Sequence, residues 1–146
     1  PHTKSPPPFD CVAFLKGVPL FANLDEERLH TLADDFHLFA YPRGNIIFHQ
    51  GEIGRTLYVV VSGKVRIYTT TPEGGETTTN IFARGDIFGE FAIFDGLPRS
   101  ATAKTLTQCE LLQITDNAWL RHFRAAHAAI RATEQQMPSA LKPTHR

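Results

Sequence analysis

The sequence predicts a mainly β domain, a sandwich, jelly roll or barrel, with helices at both ends. Three observations carry this. Many short runs of period two lie between residues 45 and 114, with glycine-bearing turns separating them. Helical periodicity is confined to the two ends of the chain. The length of 146 residues, with 42% hydrophobic and 21% charged residues, suits one globular domain with a real core.

In chain order, residues 1–8 carry Pro1 and the run Pro6, Pro7, Pro8 and are expected to be linker or disordered. A short helix is expected from about Phe9 to Lys16, leading into the turn-rich stretch Gly17 to Leu24. Asp25 is a good N-cap, and Glu26 and Glu27 suit the positive first turn of a second helix. Leu29, Leu32, Ala33 and Phe36 then form its apolar face at i, i+3, i+4 and i+7.

From Pro42 the period changes to two. Strands are expected near 45–50, 56–62, 64–70, 76–82, 100–106 and 109–114. In Lys64 to Tyr68, Val65 and Ile67 alternate with Lys64 and Arg66, whereas the alternation in Cys109 to Ile114 is less clean. Arg43-Gly44, Ser62-Gly63, Glu73-Gly74-Gly75 and Arg84-Gly85-Asp86 are the turn signals between them.

After Asp116 the helical period returns. Trp119, Phe123, Ala126, Ile130, Thr133 and Met137 alternate steps of four and three, the spacing of an a/d seam, and the same pattern also fits helices packed back on the barrel. Residues 117–146 hold five basic residues against Glu134 alone, which reads as a solvated face. Residues 138–146, with Pro138 and Pro143, are expected to be a tail.

Composition excludes several classes. Fifteen basic and fifteen acidic residues cancel, which removes the simplest argument for nucleic acid as a partner of this segment. The longest apolar run is Leu57 to Val61, far short of the roughly 20 residues that span a bilayer, and the first thirty residues hold no signal-peptide pattern. A cytoplasmic protein with no membrane association is expected, and a first residue Pro1 in place of Met suggests flanking sequence beyond it. Cys11 and Cys109 are too few for a disulfide framework and belong to no C-x-x-C pair, so both are expected reduced and buried.

The informative stretch runs from Gly85 to Ala103. It places a strand end and Gly89 before a possible short helix, then a Gly96-Leu97-Pro98 exit and Arg99. A glycine ahead of a helix lets backbone approach a ligand, and the N–H groups of a first helical turn favour an anion. The guanidinium of Arg99 matches two phosphate oxygens at once. Glu90 repels a bare phosphate but suits a ligand that also offers a hydroxyl, as a ribose 2′-OH does. Phosphate and ribose together mean a nucleotide. The spacing equally admits a structural reading, in which Glu90 is a charge at the helix N-terminus, Arg99 is its salt-bridge partner and Gly89 is a turn.

Phe88-Gly89-Glu90-x-Ala92-Ile93, with Arg99-Ser100-Ala101-Thr102 beyond it, resembles the phosphate-binding cassette of the cyclic-nucleotide-binding domain. That domain occurs in cAMP-receptor/Fnr-type bacterial transcription regulators, cAMP- and cGMP-dependent kinases and nucleotide-gated channels. Pro42-Arg43-Gly44, Gly51-Glu52-x-Gly54, Leu57-Tyr58-x-Val60, Gly63-Lys64-Val65 and Gly85-Asp86 agree with it. The resemblance spans residues 9–137 and implies a double-stranded β-helix, a jelly-roll-like eight-stranded β-roll over about 37–115, with N-terminal helices and C-terminal helices over about 116–137.

By the same resemblance, cAMP, or alternatively cGMP, sits inside the roll and no cofactor is needed. Arg99 pairs the cyclic phosphate, Glu90 accepts the ribose 2′-OH and Ser100 adds a hydroxyl. Backbone around Gly89, Phe91 and Ala92 lines the phosphate, with Phe88 and Ala101 completing the cassette. The family's cGMP-preferring sites often carry Thr where Ser100 stands, which favours cAMP. Ile67 and Asn80 are candidates for the base, Ile67 because it faces inward if Val65 does. The C-terminal helix commonly supplies an adenine contact, but the matching stretch runs into Pro138 and Pro143, so no residue is carried over.

The implied function is allosteric sensing without catalysis: the effector-binding half of a transcription regulator, dimeric through its C-terminal helix, reaching DNA only through a domain absent from this chain. Alternatives are a regulatory domain of a kinase, channel or other effector, and a ligand-independent interaction module. A cupin-like metalloenzyme needs clustered ligands, whereas His37 and His49 stand alone and His2, His30, His122, His127 and His145 fall in helices or tails. An iron–sulfur sensor needs four cysteines.

Overall fold

The computed structural model describes residues 9–89 and 96–122. Within them lie helix α1 (Cys11–Lys16), a 3₁₀ turn (Pro19–Phe21) and helix α2 (Glu26–Asp35), followed by eight strands: β1 (His37–Tyr41), β2 (Ile46–Phe48), β3 (Thr56–Ser62), β4 (Val65–Thr70), β5 (Glu76–Phe82), β6 (Ile87–Phe88), β7 (Thr102–Thr105) and β8 (Cys109–Thr115). Residues 116–122 are helical and are labelled α3. The strands form two four-stranded antiparallel sheets in the orders β1-β8-β3-β6 and β2-β7-β4-β5. This is the jelly-roll solution, mostly β with helices flanking, that the turns and short runs point to.

Side-chain caps set the helix starts. The Asp10 carboxylate accepts from Ala13 N at 3.0 Å, so α1 begins at Cys11 and not at Phe9. Asp25 accepts from Arg28 N at 2.8 Å and opens α2, with Glu26 and Glu27 in its first turn. Phe36 is the extended C-cap of α2, yet it is buried and continues the apolar stripe toward the sheet.

Two hydrophobic clusters lie on opposite faces of the first sheet. On the helix side, Phe14, Leu15, Phe21, Leu29 and Leu32 pack on Leu57, Val59, Leu112 and Ile114. On the other side, between the sheets, lie Tyr58, Val60, Val65, Phe88, Cys109 and Leu111. Strands β3 and β8 alternate between these two cores, which explains why Leu57 to Val61 is an unbroken apolar run and why β8 alternates poorly. Fully burying each such side chain contributes roughly 1.5 to 3 kcal/mol.

Three expectations about elements change. Strands β1 and β6 are additional; β1 lies at a sheet edge with Phe39 half exposed, and β6 is two residues long. The clean alternation of β4 breaks at a bulge between Ile67 and Tyr68, so Val65 and Tyr68 are its buried residues. Trp119, taken as part of a partner-facing seam, is buried within its own chain, its ring 5.8 Å from Phe21. The remaining seam positions, Phe123, Ala126, Ile130, Thr133 and Met137, lie outside the described residues, as do both expected terminal segments. Cys109 is buried and Cys11 partly so, its thiol pushed up to about 11 chiefly by burial. Among the described residues, no helix is long and apolar enough to cross a membrane.

Candidate functional site

Arg99 is the centre of the site, and backbone pairing fixes it. Arg99 N donates to Glu52 O at 2.7 Å, Gly51 N donates to Arg99 O at 2.7 Å, and Ile53 bridges Pro98. The Glu52 carboxylate accepts from His49 N at 2.8 Å, which closes the intervening loop. The stretch Gly51-Glu52-x-Gly54 thus braces the Arg99 backbone from both sides.

The Arg99 side chain runs inward and is only 5% exposed. Its Nη2 donates to Thr56 O at 2.8 Å and its Nη1 to Gly89 O at 3.1 Å. The guanidinium carbon stands 4.1 Å from the ring centroid of Phe48 and 5.9 Å from that of Tyr58. Two glycines make room for it. A Cβ at Gly54 would overlap Nε, Cζ and Nη2 of Arg99. Gly89 has φ +90, and a Cβ there would lie 2.7 Å from Arg99 Nη1 and 3.0 Å from Thr56 O.

The rings beneath Arg99 form a stack at the end of the inter-sheet core. Phe88 lies 5.0 Å from Tyr58 and 5.6 Å from Phe82, nearly parallel to both. Phe48 tilts against Tyr58 at 5.8 Å. Burial raises the Tyr58 phenol above its ordinary range, against a smaller lowering by the Arg99 charge, so it is neutral near pH 7. A guanidinium held among rings and carbonyls, beside a glycine turn, is suited to a planar pair of anionic oxygens.

Of the sequence candidates, the structure brings Phe88, Gly89 and Arg99 together. Ala101 is buried close behind Arg99 in the chain, whereas Ser100 occupies an exposed bend. Ile67 is half-buried against the inter-sheet cluster and pairs with the exposed Asn80 across β4 and β5. Glu90, Phe91 and Ala92 lie outside the described residues. Phe48 and Tyr58 escaped the sequence reading as site residues because their contact with Arg99 is made between distant segments. Gly51-Glu52-x-Gly54 was legible as a motif, but nothing local shows that it encloses an arginine.

A second polar cluster joins α2 to α3. Asp35 Oδ2 lies 2.6 Å from His122 Nε2 and 3.2 Å from Arg121 Nη2, and Arg28 donates to His122 O at 2.9 Å. The hydrogen bond from His122, then the Arg121 charge, hold the Asp35 carboxyl below its ordinary range against a raising contribution from burial. A cleft of about 170 Å³ alongside, lined by Leu24, Arg28, Thr31 and Arg121 among others, belongs to this helix junction.

Comparison with known proteins places these observations in a family context. Residues 38–125 match the family model described as the cyclic nucleotide-binding domain. The chain is 38% identical over 110 residues, 75% of its length and 51% of the relative's, to the cyclic AMP receptor protein of Thermus thermophilus. It is 37% identical over 89 residues, 61% of its length and 17% of the relative's, to a cAMP-dependent protein kinase regulatory subunit of Mycosarcoma maydis. The crystal structure of the N-terminal domain of a transcriptional regulator from Streptomyces coelicolor A3(2) superposes with a TM-score of 0.71 at 30% identity, covering 90% of this chain and 99% of that one. The chain spans about half the length of the receptor-protein relatives it matches.

Proposed function

Because this chain belongs to the cyclic nucleotide-binding domain family, we propose that it binds cAMP between its two sheets and senses it for a longer transcription regulator. The observation that carries the reading is the buried guanidinium of Arg99 held at the Gly89 turn. In this reading Arg99 pairs the cyclic phosphate with two parallel N–H donors. Glu90 accepts the ribose 2′-OH, Ser100 adds a hydroxyl from its exposed bend, and the backbone of Gly89, Phe91 and Ala92 lines the phosphate. Phe88 and Ala101 form apolar walls, and Ile67 meets the base. Binding is the whole task, and no covalent step is assigned.

The regulator reading is supported by relatives described as a cyclic AMP receptor protein and a cAMP-activated regulator, of which this chain matches about half. It is supported too by likeness to a transcriptional regulator's isolated N-terminal domain. The chain then works in the cytoplasm and reaches DNA through a separate domain. Its partner is a second copy, paired along Phe123, Ile130 and Met137. Sedimentation should show a dimer that Ile130→Glu dissociates, and a parent that is monomeric with and without cAMP removes the dimer.

Thermal unfolding tests the ligand. At 100 times its dissociation constant, cAMP adds about 2.7 kcal/mol to stability and raises the melting temperature. Calorimetry with cAMP, cGMP and 5′-AMP should rank cAMP first and the open phosphate last. A melting curve unmoved by saturating cAMP and cGMP overturns the reading.

A further inference from the structure

We propose that Phe48 is a positioning residue for Arg99: its ring holds the guanidinium in one orientation before an anion arrives. The inference rests on the reading of Arg99 as the phosphate-binding group and adds a residue to that site.

An arginine side chain has many rotamers, so an unrestrained one loses affinity on being ordered by its ligand. In this fold the ordering is done in advance. Strand β2 ends at Phe48, and the Phe48 ring centroid lies 4.1 Å from Arg99 Cζ, closer than the 5.9 Å of Tyr58. The Thr56 and Gly89 carbonyls fix the rotation of the group, and Gly54 leaves space where any side chain would displace it. The ring adds a contact that carbonyls cannot: its negative face attracts the cation while leaving N–H donors in the guanidinium plane. Phe48 is itself held by Tyr58 and Phe88, at 5.8 and 6.1 Å, so it is a fixed support. Leu or Ile would fill most of the space without an aromatic face, so an apolar residue alone does not meet the requirement.

The test compares Phe48→Leu with Phe48→Tyr in the full chain, by two readouts. In ligand-free protein, the Arg99 Nε–Hε resonance, assigned through Arg99→Lys, should be shifted by the ring and as rigid as the backbone. Phe48→Tyr should retain both properties and Phe48→Leu lose both. By calorimetry, Phe48→Leu should bind cAMP about 5- to 30-fold more weakly, the range of a desolvated cation–π contact. Phe48→Tyr should restore binding to within about twofold, and in an Arg99→Lys background Phe48→Leu should cost less. Should Phe48→Leu fail to fold, the parent resonance decides alone: an Arg99 side chain without a ring shift overturns the proposal. So does parental cAMP affinity in a folded Phe48→Leu. A rigid, ring-shifted Arg99 in a parent that binds no cyclic nucleotide upholds the positioning role and overturns the ligand reading instead.

Discussion

At the scale of single residues, the charge of Arg99 and the absence of a side chain at Gly54 make separate, testable contributions to the candidate site. Arg99→Ala should weaken cAMP binding by two to three decades, the scale of removing one partner from a buried ion pair, and Arg99→Lys should recover only part. Titration calorimetry within threefold of the parent for Arg99→Ala would place the anion elsewhere. Gly54 does not have the positive φ of Gly89, so alanine suits its backbone, and the three nearest atoms its Cβ would meet all belong to the Arg99 side chain. Gly54→Ala should therefore cost about 1 to 3 kcal/mol of stability by overpacking, and Arg99→Ala should relieve that cost in the double variant. Chemical denaturation of the four proteins measures the coupling, and additive losses would refute the clash. Arg99 and Gly89 were legible in the sequence because charge and turn chemistry are local. The role of Gly54 and the ring of Phe48 were not, because the side chain they confine arrives from some fifty residues away.

At the scale of elements, what the sequence showed depended on how much of an element's stability is local. Helix α2 was legible from Asp25 and the Leu29, Leu32, Ala33 stripe, since cap and amphipathic face lie in one stretch. Strands β1 and β6 were not, being an exposed edge and a two-residue pairing with Tyr58 and Val59. Nothing local announced the junction of α2 with α3 either, since Asp35 meets His122 across 87 residues. At that junction the Asp35 carboxyl is held below its ordinary range, chiefly by the hydrogen bond with His122. The folded-state value of Asp35 is depressed, so its contribution is fully present above the ordinary 3.8 and is lost as pH falls through the lower folded value. Melting temperature should accordingly drop below about pH 4, and Asp35→Asn should lower it near neutrality while flattening that acid limb. An acid limb identical in the variant would assign the loss to other carboxylates.

At the scale of the whole molecule, one sheet separates two cores with different duties. The helix-side core joins α1, α2 and α3 to the roll, and the inter-sheet core carries the ring stack on which Arg99 rests. The composition and the run Leu57 to Val61 foretold substantial burial, but the division into two cores follows from sheet order, which periodicity does not encode. Adjacent residues of β8 expose the division experimentally. Leu111 and Leu112 are both buried, yet Leu111 faces the inter-sheet cluster and Leu112 the helices. Truncation of either leucine to alanine should cost about 2 to 5 kcal/mol, so denaturation alone will not distinguish them. Ligand binding should. Leu111→Ala leaves a void in the cluster that holds Tyr58 and Phe88, loosening the support of Arg99, and should weaken cAMP binding several-fold. Leu112→Ala opens its void on the far face of the sheet and should bind cAMP as the parent does, at temperatures where both variants are folded. Equal losses of affinity would mean that the two cores act as one and that the sheet transmits packing defects freely from its helix side to the side that carries Arg99.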